Sequence, residues 1–360
     1  VTSFWHDAQR DLLIYKGLPL PAVQQAIPET RLLNGSYFAV PRTLATSQIL
    51  RHFNYPVSPV ITEQTYDFPR PPNIKKPYES QVLAANFMAL HPRCFNLSDM
   101  GVGKTITALW AADWLMRQHP PGTFRCLIVA PLSILQRVWA DAIFKTFLGK
   151  RTWEILHGTP AERLERLHRK ADFQIVNFDG VGIGTKTRKT FEIAGLSQAL
   201  RDDAGIRLVI VDEASAYKDS TTKRHRIARA VLGRREYLWL MTGTPTPNAP
   251  TDAFGLAKLV NNAFGKSRTG FQEETMYKPY ELGFRWLPRK DGYEKAAALL
   301  SPSIRFDIRD VWDAPEMVIQ QREVPLTDEQ KSLFKQLKAE LAVTMKSGKP
   351  ITAANEAAAR

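Results

Sequence analysis

The stretch "LSDMGVGKTIT", Leu97 to Thr107, decides the fold. It carries glycine, glycine, lysine and threonine at Gly101, Gly103, Lys104 and Thr105, yet Ser98 stands where the strict phosphate-loop pattern G-x-x-x-x-G-K-[ST] has its first glycine. A phosphate loop works because backbone N–H groups and a helix N-terminus face an anion, a lysine reaches the β- and γ-phosphates, and a hydroxyl binds Mg²⁺. Gly101 and Gly103 can adopt the backbone angles this requires, Lys104 supplies the charge and Thr105 the metal ligand. Met100, Val102 and Ile106 complete the cradle. "ITALWAADWLMRQ" then supplies the helix on which the loop must open.

One such loop can arise by chance, so a second signal has to stand beside it. "RLVIVDEAS", Arg207 to Ser215, is an apolar strand ending in two carboxylates, Asp212 and Glu213. Alone, an acidic pair after a strand is more often a solvated loop than a site. A phosphoryl-transfer centre, however, needs one acid to hold Mg²⁺ and one group to orient the attacking water. Downstream of a lysine loop in the same strand-and-helix pattern, the pair takes those two roles.

That pattern extends through "CLIVAP" (126–131), "FQIVNF" (173–178) and "YLWLMTGTP" (237–245), uninterrupted apolar runs separated by helix-like segments. Parallel strands covered on both faces read this way. The fold class is therefore α/β, a doubly wound P-loop fold with a central, mostly parallel sheet flanked by helices. Its functional loops belong at the carboxyl ends of the strands.

The organisation read from the sequence has four parts. Residues 1–75 form an accessory region of no assignable role, closed by the proline-rich "DFPRPPNIKKP", an extended linker. Residues 76–262 form the ATP-binding lobe, which begins with a helix in "YESQVLAANFMALHP". Beyond about 262 the strand pattern stops, and 263–330 reads as a mostly helical insertion in which "VIQQREVPLT" (318–327) is a candidate strand. Residues 331–360 carry a helix, with Leu333, Phe334, Leu337, Leu341 and Met345 on its apolar face and Gly348 as its cap.

The 49 basic and 36 acidic residues leave a formal charge of +13, which suits a polyanionic partner such as nucleic acid. The densest charge is "KDSTTKRHRIARAVLGRR", with Lys218, Lys223, Arg224, Arg226, Arg229, Arg234 and Arg235 against Asp219. It is either a solvated helix face or a phosphate-binding one. Cys94 and Cys126 have neither disulfide nor zinc spacing and read as buried thiols. His157, His168 and His225 lack metal spacing, and Trp110, Trp114 and Trp139 sit among apolar neighbours as core. No apolar run reaches membrane-spanning length, and the amino-terminal residues do not form a signal peptide. The expected location is cytoplasmic, in a bacterium or a phage-infected host, with no membrane partner. The initial valine suggests an alternative start codon or an excised fragment.

From about residue 76 to 340 the motifs, in order, resemble those of the Swi/Snf-type DNA translocases of helicase superfamily two. "KPYESQ" is similar to the adenine-recognising Q motif, with Gln81 as its glutamine. "SDMGVGKTIT" is similar to the family's D-E-M-G-L-G-K-T loop, which also lacks a glycine at the position of Ser98. "LIVAPLSILQRVWADAI" and "QIVNFDGV" resemble motifs Ia and Ib. "VDEASAYKDSTTKRHRIARAVL" resembles the D-E-A-H run and its basic helix. "LWLMTGTPTPNAPTDAFGLAKLV" matches motif III most specifically, and "LLSPSIRFDIRDVWDAPE" with "REVPLTDEQKSLFKQL" is similar to the stretch leading to a second lobe.

This resemblance implies a RecA-like P-loop lobe of an ATP- and Mg²⁺-dependent motor that moves along double-stranded DNA without reading its sequence. Thr242, Gly243 and Thr244 would pass nucleotide state to the DNA contacts. Pro131, Leu132 and Ser133, together with Asn177 and Phe178, would lie near the tracked strand, and Lys218, Lys223 and Arg224 are added from the basic run. Ser215 replaces the usual histidine, Thr246-Pro247 replaces leucine-glutamine in motif III, and "IRFDIRDV" follows the double-arginine segment loosely, which marks a divergent, bacterial or phage member. No Q-x-x-G-R-x-x-R motif is found, so the chain reads as lobe one without the second RecA-like lobe that carries the arginine finger. A strand-separating helicase or restriction-system motor of the same superfamily is one alternative. A non-catalytic nucleotide-binding, DNA-binding or docking lobe is another.

Overall fold

Seven parallel strands, in the order β13 (Ser303–Ile304), β5 (Arg93–Asn96), β10 (Tyr237–Met241), β9 (Ile206–Val211), β6 (Arg125–Ala130), β8 (Phe173–Asn177) and β7 (Trp153–Ile155), form the central sheet. The computed structural model describes residues 3–7, 9–72, 76–185, 191–279, 286–311, 320, 322–340, 342–344 and 350–352. These divide into two compact units, Val1–Asp313 and Ala314–Arg360.

In chain order the first unit opens with β1 (Phe4–Asp7), β2 (Leu12–Lys16), α1 (Pro21–Ala26), β3 (Arg31–Leu33), β4 (Tyr37–Pro41) and α2 (Leu44–His52). Then follow α3 (Glu79–Leu90), β5 (Arg93–Asn96), α4 (Lys104–Arg117), β6 (Arg125–Ala130), α5 (Asp141–Phe147), β7 (Trp153–Ile155), α6 (Pro160–His168) and β8 (Phe173–Asn177). The lobe continues with α7 (Gly195–Asp202), β9 (Ile206–Val211), α8 (Lys223–Val231), β10 (Tyr237–Met241) and α9 (Asp252–Val260). It ends with α10 (Arg268–Thr275), β11 (Met276–Tyr277), β12 (Leu287–Pro288), α11 (Gly292–Leu299), β13 (Ser303–Ile304) and α12 (Ile308–Val311).

The apolar runs become strands because both sheet faces are covered. Along β6, Cys126, Ile128 and Ala130 join one core with Trp110, Trp139 and Trp239. Leu127 and Val129 join the opposite core with Leu200, Val231 and Phe254. Alternation therefore serves two interiors, and each fully buried aliphatic side chain contributes roughly 1.5–3 kcal/mol. Trp110, Trp114 and Trp139 are buried, as are the free thiols of Cys94 and Cys126.

Three features differ from the sequence reading. The strand pattern has a member beyond residue 262, since β13 pairs in parallel with β5 at the sheet edge. Two residues are too short for a periodicity to show. The amino-terminal region has its own antiparallel sheet, β1-β2-β4-β3, over a core of Leu13, Tyr15, Phe38 and Leu50. Its last part nonetheless belongs to the lobe, because Val60, Ile61, Tyr66 and Phe68 lie in the same core as Trp110. The Tyr66 hydroxyl donates to Asp113 Oδ2 at 2.7 Å, Arg151 Nε donates to Asp113 Oδ1 at 2.6 Å, and the Trp110 indole donates to the Pro69 carbonyl at 2.6 Å.

In the second unit, α13 (Asp328–Glu340) is followed by β14 (Ala342–Thr344) and β15 (Pro350–Thr352), which pair antiparallel. The helix is described through Glu340, and Leu341, Met345 and the expected cap Gly348 lie outside the described residues. In the candidate strand 318–327, the described residues 320 and 322–327 form no strand.

Candidate nucleotide-binding site

The phosphate loop leaves the carboxyl end of β5 and opens α4. Gly101 and Gly103 both have φ of 87°, in the left-handed region where a Cβ is strained. Ser98 is not among the residues of positive φ. Its backbone N–H donates to Asn96 Oδ1 at 3.2 Å, and its hydroxyl accepts the Phe306 N–H at 3.1 Å. A glycine is not needed there, because the turn that requires glycine falls at Gly101 and Gly103.

Lys104 begins α4, and its ammonium donates to the carbonyls of Ser98 and Asp99, each at 2.8 Å. The loop thus supplies its own acceptors for the cation. Burial lowers the Lys104 pKa, opposed by the charges of Asp212, Glu213 and Asp99. The loop and the acidic pair both lie at the carboxyl end of the parallel sheet, after β5 and β9. Thr105 follows in the first turn of α4, half-buried, with Ile106 behind it, while Met100 is exposed at the loop tip.

Asp212 follows β9 and is buried. Its Oδ2 accepts the Trp139 indole N–H at 3.0 Å and its Oδ1 accepts the Glu213 N–H at 3.0 Å. Burial raises its pKa, and the indole hydrogen bond works against that rise. Glu213 has φ 49° and ψ 50°, a left-handed conformation uncommon for a residue with a side chain. Such strain clusters at functional sites.

Gln81, in the first turn of α3, closes the pocket. Its Oε1 accepts the Tyr78 N–H at 3.1 Å and its amide donates to the Val102 carbonyl at 3.3 Å. Thr242, after β10, donates its N–H to the Asn96 carbonyl at 3.1 Å, and its hydroxyl accepts the Thr244 N–H at 3.2 Å. A Cβ built on Gly243 would lie 3.5 Å from the Ser98 carbonyl oxygen, so this turn packs directly on the phosphate loop. Loop, acidic pair and Thr242–Thr244 occupy one rim of the sheet.

Three residues join the site that sequence reasoning did not assign to it. Ser80 and Phe306 line the same pocket as Gln81 and Lys104, and the Ser80 hydroxyl is buried with no hydrogen-bond partner among the described residues. Trp139, read as core, is core by its ring and a ligand of Asp212 by its nitrogen. Ser80 was visible beside Gln81, but nothing in sequence placed Phe306 against Ser98.

The residues assigned to nucleic acid separate into groups. Pro131, Leu132 and Ser133 leave the carboxyl end of β6, with Leu132 exposed. Phe178, Lys223 and Arg224 line one cleft, where the Arg224 guanidinium sits 6.0 Å from the Phe178 ring centre and pairs with Asp179 at 2.8 Å. Asn177 is turned inward, its Oδ1 accepting from Arg163 at 3.2 Å, and Lys218 pairs with Asp252 at 3.6 Å. No helix among the described residues is long and apolar enough to cross a membrane.

A phosphate loop after β5 of a parallel α/β sheet, with an acidic pair after β9 on the far side of β10, defines a P-loop nucleotide-binding lobe of RecA type. The SNF2-related domain matches residues 90–357, and the chain belongs to that family. It is 27% identical over 162 residues to the DNA annealing helicase and endonuclease ZRANB3 of Bos taurus, covering 45% of this chain and 14% of that protein. It is 25% identical over 171 residues to the DNA repair and recombination protein RAD54-like of Drosophila mojavensis, covering 47% and 21%. It is 26% identical over 255 residues to the putative ATP-dependent helicase/translocase YwqA of Bacillus subtilis (strain 168), covering 66% and 24%. The Sulfolobus solfataricus SWI2/SNF2 ATPase core in complex with dsDNA aligns with a TM-score of 0.48 at 19% identity, over 74% of this chain and 53% of that one. The chain therefore spans a minor part of its curated relatives' length.

Proposed function

We propose that the chain is the nucleotide-binding lobe of an ATP-dependent motor that moves along double-stranded DNA. The observation that carries this reading is the convergence of Lys104, Asp212, Glu213 and Thr242–Thr244 on one rim of the sheet, in a member of the SNF2-related family. The names of the relatives, a helicase, a recombination protein and a helicase/translocase, support it.

The residue types gathered at the site suit an ATP·Mg²⁺ substrate. Lys104 is held by two backbone carbonyls that phosphate oxygens can replace, and the unpartnered Ser80 hydroxyl offers a further polar contact beside Gln81. No cluster of three or more His, Cys, Asp or Glu suited to a metal occurs among the described residues. Mg²⁺ is bound through one or two carboxylates plus substrate phosphates and water. When bound, Mg²⁺ supplies charge neutralisation at the β- and γ-oxygens. Thr105 and Asp212 would hold it, Asp212 being oriented by Trp139. Lys104 binds the phosphates, Glu213 orients the attacking water, and Gln81 reads the base. Thr242–Gly243–Thr244, packed on the loop, transmits its state towards Pro131–Ser133 and the Phe178–Arg224 cleft.

A second RecA-like lobe belongs to the working motor. An arginine finger is worth ~10³–10⁵ in rate, and this chain has no segment resembling the motif that supplies one. The isolated 360 residues should therefore bind ATP weakly and hydrolyse it negligibly. The test is DNA-stimulated ATP hydrolysis by the full-length gene product with and without Glu213→Gln. The wild type should respond to duplex DNA and the variant should not. Equal hydrolysis by both would sink the assignment of Glu213, and unwinding of forked DNA would favour a strand-separating helicase.

A further inference from the structure

The basic run that the sequence presents as one block is divided by the fold. Lys223 and Arg224 face the Phe178 cleft, where Arg224 is paired with Asp179. Arg226, Arg229 and Arg234 line another cleft, of about 630 Å³, together with Lys258 of α9. That cleft lies at the amino-terminal rim of the sheet. Arg93, the first residue of β5, forms part of its wall, and its guanidinium is engaged by the carbonyls of Leu259, Val260 and Arg235. The phosphate loop leaves the other end of the same strand.

We propose that this cleft is a second, sequence-independent binding site for the phosphodiester backbone of nucleic acid, on the rim opposite the nucleotide site. Among the described residues, Arg226, Arg229, Arg234 and Lys258 form no ion pair, and no aspartate or glutamate lines the cleft. Arg226 and Arg229 are three apart on α8, where like charges repel. An anion in the cleft relieves that repulsion, and the described residues that line it include no carboxylate. The Arg226 guanidinium lies 4.3 Å from the Phe191 ring centre, a cation–π contact that holds it in the cleft. Three of the four cations are guanidinium groups, whose forked donors match phosphate oxygens in pairs. The site rests on the nucleic-acid reading above and adds to it a surface that the rim of motifs does not include.

The test measures binding of a random-sequence duplex to the chain by fluorescence anisotropy across a salt series. The variants are Arg226→Gln/Arg229→Gln/Arg234→Gln and the corresponding triple lysine variant. The glutamine triple should reduce the slope of log affinity against log salt by roughly two to three, since each phosphate contact contributes about 0.9. The lysine triple should keep most of the slope, which separates charge from folding. An unchanged slope in the glutamine triple overturns the site. So does loss of polyglutamate binding with duplex binding intact, which would make the cleft a dock for an acidic protein. A wild-type chain that binds a fluorescent ATP analogue but no duplex overturns this site and leaves the phosphate-loop assignment standing.

Discussion

The hydroxyl of Ser98 accepts the backbone N–H of Phe306 at 3.1 Å, across 208 positions of sequence. The Asp99 N–H donates to the Phe306 carbonyl at 3.0 Å, and Arg305 lies 3.6 Å from the Asp99 carboxylate. The residue that breaks the strict phosphate-loop pattern is thus a fastening point for the segment after β13. Ser98→Gly, which restores the pattern, should lower stability by about 1–2 kcal/mol from the lost hydrogen bond and the added chain freedom. Nucleotide affinity should not rise. Urea unfolding and titration with a fluorescent ATP analogue check both parts, and a gain in affinity would contradict the fastening role.

The two loop glycines should respond unequally. A Cβ on Gly103 would fall on the Gln81 amide, whereas one on Gly101 would meet the end of the Ile308 side chain at 3.1 Å. Both positions carry the left-handed penalty of roughly 1–2 kcal/mol. Gly103→Ala should in addition displace Gln81 and lose nucleotide binding by tenfold or more, on the order of 1.4 kcal/mol, while Gly101→Ala keeps more of it. Parallel titrations of the two variants decide.

Lys104 gives a pH dependence of definite sign. Burial holds its folded-state pKa below the ordinary 10.5. Between the two values the unfolded chain holds a proton that the folded chain has released, so the stability of the nucleotide-free chain gains as pH rises through that window. Lys104→Met should lack this gain. Bound triphosphate favours the charged ammonium, so nucleotide affinity should fall with rising pH over the same window. Thermal melts and titrations at several alkaline pH values read the two opposite trends, and parallel trends would exclude Lys104 as their source.

Asp113 is buried and satisfies Tyr66, Arg151 and Arg117 together. Removing its carboxylate leaves a phenol and two guanidinium groups short of a partner. Asp113→Ala should cost about 3–5 kcal/mol, with residues 60–70 becoming sensitive to protease. A loss within 1 kcal/mol, the range of exposed pairs, would mean that the cluster is no fastener.

Much of the lobe was legible because its signals are local. A strand buried on both faces must be apolar throughout, so β6, β8, β9 and β10 appear in the sequence as runs, and the glycines, lysine and acids lie next to them. Helix α3 was visible for the same reason. What escaped depends on contacts between distant residues. β13 is a strand because β5 offers it an edge, Phe306 reaches the nucleotide pocket by that pairing, and Trp139 meets Asp212 through the packing of the sheet. The basic run was legible as charge but not as two faces, because helical phase divides it only once α8 is docked.

Helix α4 carries the phosphate lysine in its first turn and, further along, Trp110 and Asp113, the partners of Pro69 and Tyr66. At 1.5 Å per residue these lie roughly 9–14 Å from Lys104 along a single rod. The amino-terminal segment and the nucleotide loop therefore grip opposite ends of one lever. A partner that pulled on residues 60–70 would move the loop without touching it, and a truncation placed at residue 75 would release the far end of that lever together with the aromatic surface beneath it.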